Sequence, residues 1–218
     1  MTRLLLVRHG ETAWNREKRL QGWHDVPLSD LGRRQAVALA RYLVACPVGR
    51  VDRVYASPLS RALDTAKVVA EECGLDVNTM EDLREIHVGS LAGMTWAEVE
   101  ARLPGFREAI KKDPTATAYP DGESMLDVVV RARGIVSRMA RDNDEETVLL
   151  VGHAVILKAV ICLILGLDIE YRNRFTLENA SLSVAELRSA DPVRGKISRL
   201  NDTHYLEGVA DVQRGAEE

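Results

Sequence analysis

Residues 3–12 read Arg3-Leu4-Leu5-Leu6-Val7-Arg8-His9-Gly10-Glu11-Thr12. The unbroken apolar run Leu4–Val7 is too short for a helix core. It lacks the polar alternation of a half-exposed strand, so it reads as a strand buried on both faces. A cation, an imidazole and a glycine follow at once. The same layout recurs at Thr147–Val151 followed by Gly152-His153, and more loosely at Val51–Ala56 followed by Ser57-Pro58. Between these strands lie helical patterns. Leu31–Ala45 carries apolar residues at Ala36, Leu39, Ala40 and Leu43, with Ser29 placed to cap it. Ser60–Cys73 carries Ala62, Ala66, Val69 and Ala70 and ends at Gly74. Ser124–Arg141 repeats Met125, Val129, Ala132, Val136 and Met139, and Val155–Leu165 ends at Gly166.

Strands alternating with helices predict an α/β fold: three layers, α/β/α, around a mostly parallel central sheet. Asp76–Thr79, Ser181–Leu187 and Lys196–Leu200 supply further short strands. Thr95 starts a helix that Pro104 stops, and it is the one compact helical stretch expected between Thr95 and Asp121. No repeat or linker divides the chain, so residues 1–218 are expected to form one domain.

The 218 residues carry a net charge of −4, with 46% hydrophobic and 28% charged residues, and a pI of about 5.8. That balance fits a globular protein and argues against a nucleic-acid partner, which calls for a basic excess. Cys46, Cys73 and Cys162 are far apart and form no CxxC pair, as suits a reducing, cytoplasmic location. Thr147–Leu167 is long enough to span a bilayer, but Gly152, His153 and Lys158 interrupt it. It reads as strand, turn and buried helix, with no membrane partner. A homodimer through an edge strand or exposed helix remains open.

In an open α/β sheet the active site lies outside the carboxyl ends of the strands. Three strand ends here deliver Arg8-His9, Ser57 with Arg61 one turn beyond, and His153 to that edge. Arginine forks bind phosphate and stay charged at any working pH. A neutral imidazole with one nitrogen held as N–H by a carbonyl is a nucleophile through the other. The expected reaction is phosphoryl transfer to His9, with Arg8, Arg61 and His153 stabilising the transferring group. The leaving alkoxide needs an acid. Glu85 is the candidate, and Glu11 is its rival unless it serves structure.

These residues fall in a longer pattern. Arg8-His9-Gly10-Glu11-Thr12 with Asn15, Gln21-Gly22, Pro27-Leu28-Ser29-Asp30-Leu31-Gly32 with Gln35-Ala36, Ser57-Pro58-Leu59-Ser60-Arg61-Ala62 with Thr65-Ala66, Leu83-Arg84-Glu85 with Gly89 and Gly93, Gly122-Glu123-Ser124, and Gly152-His153 occur in that order. Together they resemble the signature of the histidine phosphatase superfamily, also called phosphoglycerate mutase-like. The resemblance implies a phosphohistidine on His9 and a phosphate pocket of Arg8, Arg61 and His153. Glu85 would be the proton donor and later the base for water. It further implies contacts from Asn15, Gln21, Gly22 and the N–H of Ala154, where many members have glycine. It implies no metal or other cofactor. A zinc site of His9, His153 and Glu85 would set a dication beside two arginines.

The same resemblance covers phosphatases and mutases. Mutases carry a long insertion before the Gly-Glu-Ser segment, whereas Thr95–Asp121 is short, which favours admission of water and hydrolysis of a small phosphorylated metabolite. Bacterial α-ribazole phosphatases and metal-independent phosphoserine phosphatases are similar. Mutase-type transfer and a non-catalytic phosphate-binding regulator are the alternatives. Specificity is expected from the loops 16–25, 96–119 and 171–175. Trp23, Trp96, His24, His87, Arg172 and Arg174 are the residues there, or next to the motifs, whose roles the sequence leaves open.

Overall fold

The computed structural model describes residues 1–45 and 50–209; Cys46 lies outside them. Six strands form one sheet: β1 (Thr2–Arg8), β2 (Arg53–Ala56), β3 (Val77–Thr79), β4 (Thr147–Gly152), β5 (Leu182–Ala190) and β6 (Val193–Asp202). Their order is β3-β2-β4-β1-β5-β6. The first four run parallel, and β5 and β6 are antiparallel additions on the β1 side.

The continuous apolar runs follow from burial on both faces. Leu4 and Leu6 enter one core and Leu5 and Val7 the other. In β4, Val148 and Leu150 divide from Leu149 and Val151 in the same way. One core is closed by α2 (Asp30–Ala45) and α3 (Ser60–Cys73), the other by α6 (Met125–Asp142) and α7 (Ala154–Leu165). This is the expected three-layer α/β/α arrangement. Each fully buried leucine contributes about 1.5–3 kcal/mol over exposure.

Helix limits follow local chemistry. The Ser29 hydroxyl accepts the Gly32 N–H at 3.0 Å, capping α2. Ser124 and Asp127 form a reciprocal capping box on α6, and Gly74 and Gly166 end α3 and α7 in left-handed conformation. On α6 the inward face includes Val128 and Ile135, whereas Val129 is only partly buried.

Two helices were not anticipated. A single turn, α1 (Ala13–Arg16), follows the first strand. The segment after Gly93 holds two helices rather than one, α4 (Trp96–Arg102) and α5 (Phe106–Lys112). Pro104 does end α4, but Gly105 at φ +81 turns the chain straight into α5. Among the described residues, no helix is long and apolar enough to cross a membrane. The suspect stretch is β4, a turn at His153, and α7.

Candidate active site

Parallel pairing sets Arg8 beside Gly152 and Ala56 beside Val151. The residues after β1, β2 and β4 therefore emerge at one edge of the sheet. His9 and His153 meet there with ring centroids 5.0 Å apart. Both are buried, 3% and 0% exposed. The Gly10 carbonyl lies 2.7 Å from His9 Nδ1. A carbonyl only accepts, so Nδ1 carries the proton and Nε2 is the basic nitrogen. Burial, with Arg61 and Arg8 nearby, holds both imidazoles well below their ordinary pKa, so both are neutral near pH 7.

The turn after β1 is braced from three directions. The Thr65 hydroxyl accepts the Gly10 N–H at 3.1 Å, and Gln35 Oε1 accepts the Glu11 N–H at 2.8 Å. Asn179 donates to the His9 carbonyl at 3.1 Å. Gly10 also lies so close to Gly32 that a Cβ on it would stand 2.5 Å from the Gly32 oxygen. Glu11 accepts the Ser29 hydroxyl at 2.8 Å and does not line the cavity. Its role is structural, which leaves Glu85 as the acid candidate.

Glu85 lines a cavity of about 460 Å³ together with Arg8, His9, Asn15, Gln21, Gly22 and Arg61. Its carboxylate accepts the Val155 N–H at 3.1 Å and the Ile86 N–H at 3.0 Å. Burial raises its pKa, against the pull of those N–H groups and of Arg61 and Arg8. Ala154, from which an N–H contact is expected, does not line the cavity; Val155, next to it, does, and its N–H is taken by Glu85.

Arg61, 1% exposed, does not present an open fork. Its Nη1 donates to the His24 carbonyl at 2.8 Å and its Nη2 to the Gly22 carbonyl at 2.7 Å. Burial pushes it down to about 10, still cationic at neutral pH. Arg8 is held by the Leu177 carbonyl. The Nε of each arginine, His153 Nδ1 and Gln21 Oε1 are buried without a hydrogen-bond partner. Buried polar atoms left unpaired are costly, and in one place they mark a site built for a polar ligand. His153 is not among the residues lining the cavity; its ring lies against that of His9, with Nδ1 unpaired. Asn15 accepts at Oδ1 from Thr12 and Asn179, which leaves its NH2 end to donate.

The open assignments divide. Trp96 and Arg172 line the cavity; Trp23, His24, His87 and Arg174 do not. Trp23 donates to the Glu85 carbonyl at 2.7 Å and lies tilted against His87, and His24 stacks on Trp14. Arg174 lines a depression at the mouth that shares Lys111 and Arg172 with the cavity. Arg107 and Tyr119 fall in the loop 96–119 expected to set specificity but were not singled out within it, and Asn179 and Arg131 were missed. Arg107 lies over the Trp96 ring, and Tyr119, its phenol pushed up to about 12 by burial, faces Glu85 and Arg172. Among the described residues, no three His, Cys, Asp or Glu side chains could hold a metal ion.

The fold and site together define an α/β protein whose paired histidines and arginines meet at the carboxyl edge of a parallel sheet. Residues 4–203 match the histidine phosphatase superfamily (branch 1), and the chain belongs to that family. It is 35% identical to phosphoserine phosphatase 1 of Hydrogenobacter thermophilus over 207 residues, 94% of this chain and 95% of that one. It is 34% identical to a probable phosphoglycerate mutase of an Enterobacter species over 183 residues, 84% of each. Mycobacterial glucosyl-3-phosphoglycerate phosphatase in complex with VO3 superposes with a TM-score of 0.82 at 33% identity, covering 92% of this chain and 99% of that one.

Proposed function

We propose that this protein is a phosphatase that hydrolyses a small phosphomonoester through a phosphohistidine on His9. The observation that carries the reading is the state of His9: neutral, its Nδ1 proton committed to Gly10, its Nε2 basic, beside two arginines and a buried carboxyl. In the first step Nε2 attacks phosphorus and the ester P–O bond breaks. Glu85, protonated, gives its proton to the leaving oxygen. Arg8, Arg61, Asn15 and His153 Nδ1 stabilise the three equatorial oxygens. In the second step Glu85, now a carboxylate, takes a proton from water. That water attacks phosphorus, the P–N bond breaks, and inorganic phosphate leaves.

Beyond the phosphoryl end, the cavity is apolar at Trp96, Ile110, Tyr119 and Met125 and cationic at Arg107 and Arg172. Neither arginine has a carboxylate partner among the described residues. A substrate with a second anionic group suits it, as phosphoserine and 3-phosphoglycerate would. Residues 1–218 act as one domain in this reading. The well-separated cysteines, with Cys73 and Cys162 both free, suit a cytoplasmic location.

The test is phosphate release from a panel of phosphomonoesters in EDTA, including phosphoserine, 3-phosphoglycerate, sugar phosphates and α-ribazole 5′-phosphate. One substrate standing far above the rest, with acid-labile label on His9, supports the reading. Collapse in EDTA, or full activity of His9→Ala, overturns the mechanism. The Enterobacter relative favours a second reading, phosphoryl transfer between hydroxyls. It would show as interconversion of 3- and 2-phosphoglycerate, with a bisphosphoglycerate primer, outrunning phosphate release.

A further inference from the structure

We infer that Arg131 is the positioning residue for the proton donor: with Glu123 it sets where the Glu85 carboxyl stands. The inference rests on Glu85 being the acid, as proposed above.

Glu85 sits between two 3-10 turns, Glu81–Leu83 and Gly89–Leu91, in a stretch with no regular hydrogen-bond ladder. Backbone carbonyls in such a stretch need partners from elsewhere. Arg131, on α6, supplies them. Its Nη1 donates to the Asp82 carbonyl at 2.6 Å and the Arg84 carbonyl at 2.9 Å. Its Nη2 donates to the Glu85 carbonyl at 3.3 Å and to Glu123 Oε2 at 2.9 Å, and its Nε donates to Glu123 Oε1 at 2.9 Å. A guanidinium has five N–H donors, and all five are engaged.

Glu123 completes the clamp. Its Oε2 accepts the His87 N–H at 2.8 Å, and its own N–H donates to the His87 carbonyl at 2.9 Å. The backbone on both sides of Glu85 is thus tied to one ion pair whose side chains are 15% and 16% exposed. The Glu85 carboxyl reaches across to the Val155 N–H at the start of α7. Its side chain spans between α7 and the clamped backbone, so a shift of that backbone moves the carboxyl relative to the leaving oxygen. Proton transfer requires hydrogen-bond distance, so a small displacement acts on the step that needs the proton. Lysine carries the charge but has three donors on one atom and cannot reproduce the planar fork.

The experiment compares Arg131→Met, Arg131→Lys and Glu85→Gln on two substrates: an alkyl phosphomonoester, whose leaving group needs a proton, and p-nitrophenyl phosphate, whose leaving group does not. For Arg131→Met, kcat/KM on the alkyl ester, which reports the steps up to phosphorylation of His9 and not the later attack of water, should fall about 10- to 100-fold, at or below the range of lost general acid catalysis. On the aryl ester kcat/KM should change by less than about threefold. Arg131→Lys should show the same split in smaller degree, and is read alone if the methionine variant does not fold. Adding either Arg131 variant to Glu85→Gln should cost little more on the alkyl ester than Glu85→Gln alone, because both act on one step. Equal losses on both substrates, or wild-type alkyl turnover in Arg131→Lys, overturn the inference. If Glu85→Gln shows the split and the Arg131 variants do not, the positioning role alone fails. If Glu85→Gln shows no split, the acid assignment fails and takes this inference with it.

Discussion

His153 Nε2 lies 2.9 Å from the hydroxyl of Ser57, a residue that ends a different strand 96 positions earlier. The Ser57 oxygen also accepts the Leu59 N–H at 3.3 Å. Where the hydroxyl donates to Nε2, the imidazole proton is carried by Nδ1, the buried atom without a partner. That tautomer is the one that donates to a phosphoryl oxygen. Ser57→Ala should therefore lower kcat/KM by about 10-fold, the worth of one hydrogen bond in orienting a donor, and Ser57→Thr should retain most activity. Unchanged kinetics in Ser57→Ala would show that packing alone holds the ring.

Acid should destabilise the protein from the histidine range downward. His9 and His153 have folded pKa values below the ordinary 6.5, chiefly through burial. As pH falls through 6.5 the unfolded chain takes up protons that the native state resists, so their contribution, present above that value, is progressively lost. Glu85, raised above 4.5, acts the opposite way, with its favourable term growing as pH falls. The urea midpoint should drop between about pH 7 and pH 5.5 and drop less in His153→Asn. A flat profile in the wild type would contradict neutral burial of the pair.

Gly22→Ala should damage both stability and anion binding. Gly22 has φ +51, and a Cβ there would stand 2.6 Å from Val88 Cγ2 and 2.9 Å from the Val88 nitrogen. Overpacking of this kind costs about 1–3 kcal/mol. The Gly22 carbonyl also holds Arg61 Nη2, so vanadate should inhibit the variant more weakly. Equal urea midpoints and equal inhibition constants would refute both effects.

Arg107→Met and Arg172→Met should each alter selectivity rather than basal turnover. On a substrate with a second anionic group, kcat/KM should fall about 10- to 100-fold, the worth of one charge-assisted hydrogen bond. On p-nitrophenyl phosphate the change should stay within about threefold. Parallel losses on both would place the arginines in phosphoryl binding instead.

Much of the site was legible because strand ends are local signals. The apolar runs before Arg8 and before His153 announce buried parallel strands, and such strands share one functional edge. Ser29, Ser124, Gly74 and Gly166 mark helix limits through chemistry within a few residues of themselves. Residue chemistry alone left Glu11 as a rival to Glu85, and the family pattern pointed to Glu85. In the structure the Ser29 hydroxyl on one and the cavity around the other separate them. The two tryptophans were equally ambiguous. Trp23 is turned onto the Glu85 carbonyl, while Trp96, at the start of α4, faces the cavity.

The sequence by itself determined the layered α/β architecture, singled out His9 as the candidate nucleophile and showed the cationic character of its surroundings. Apolar periodicity, caps and residue chemistry act over a few positions and need no knowledge of the rest of the chain. The tertiary structure decided which donors face inward, that two N–H groups of Arg61 are committed to carbonyls, and that Arg131 binds the Glu85 segment 46 to 49 positions before it. Those contacts join helix side chains to the carbonyls of irregular segments that carry no period. Their geometry is set by which loops the assembled sheet brings together, and that appears only once the sheet has formed.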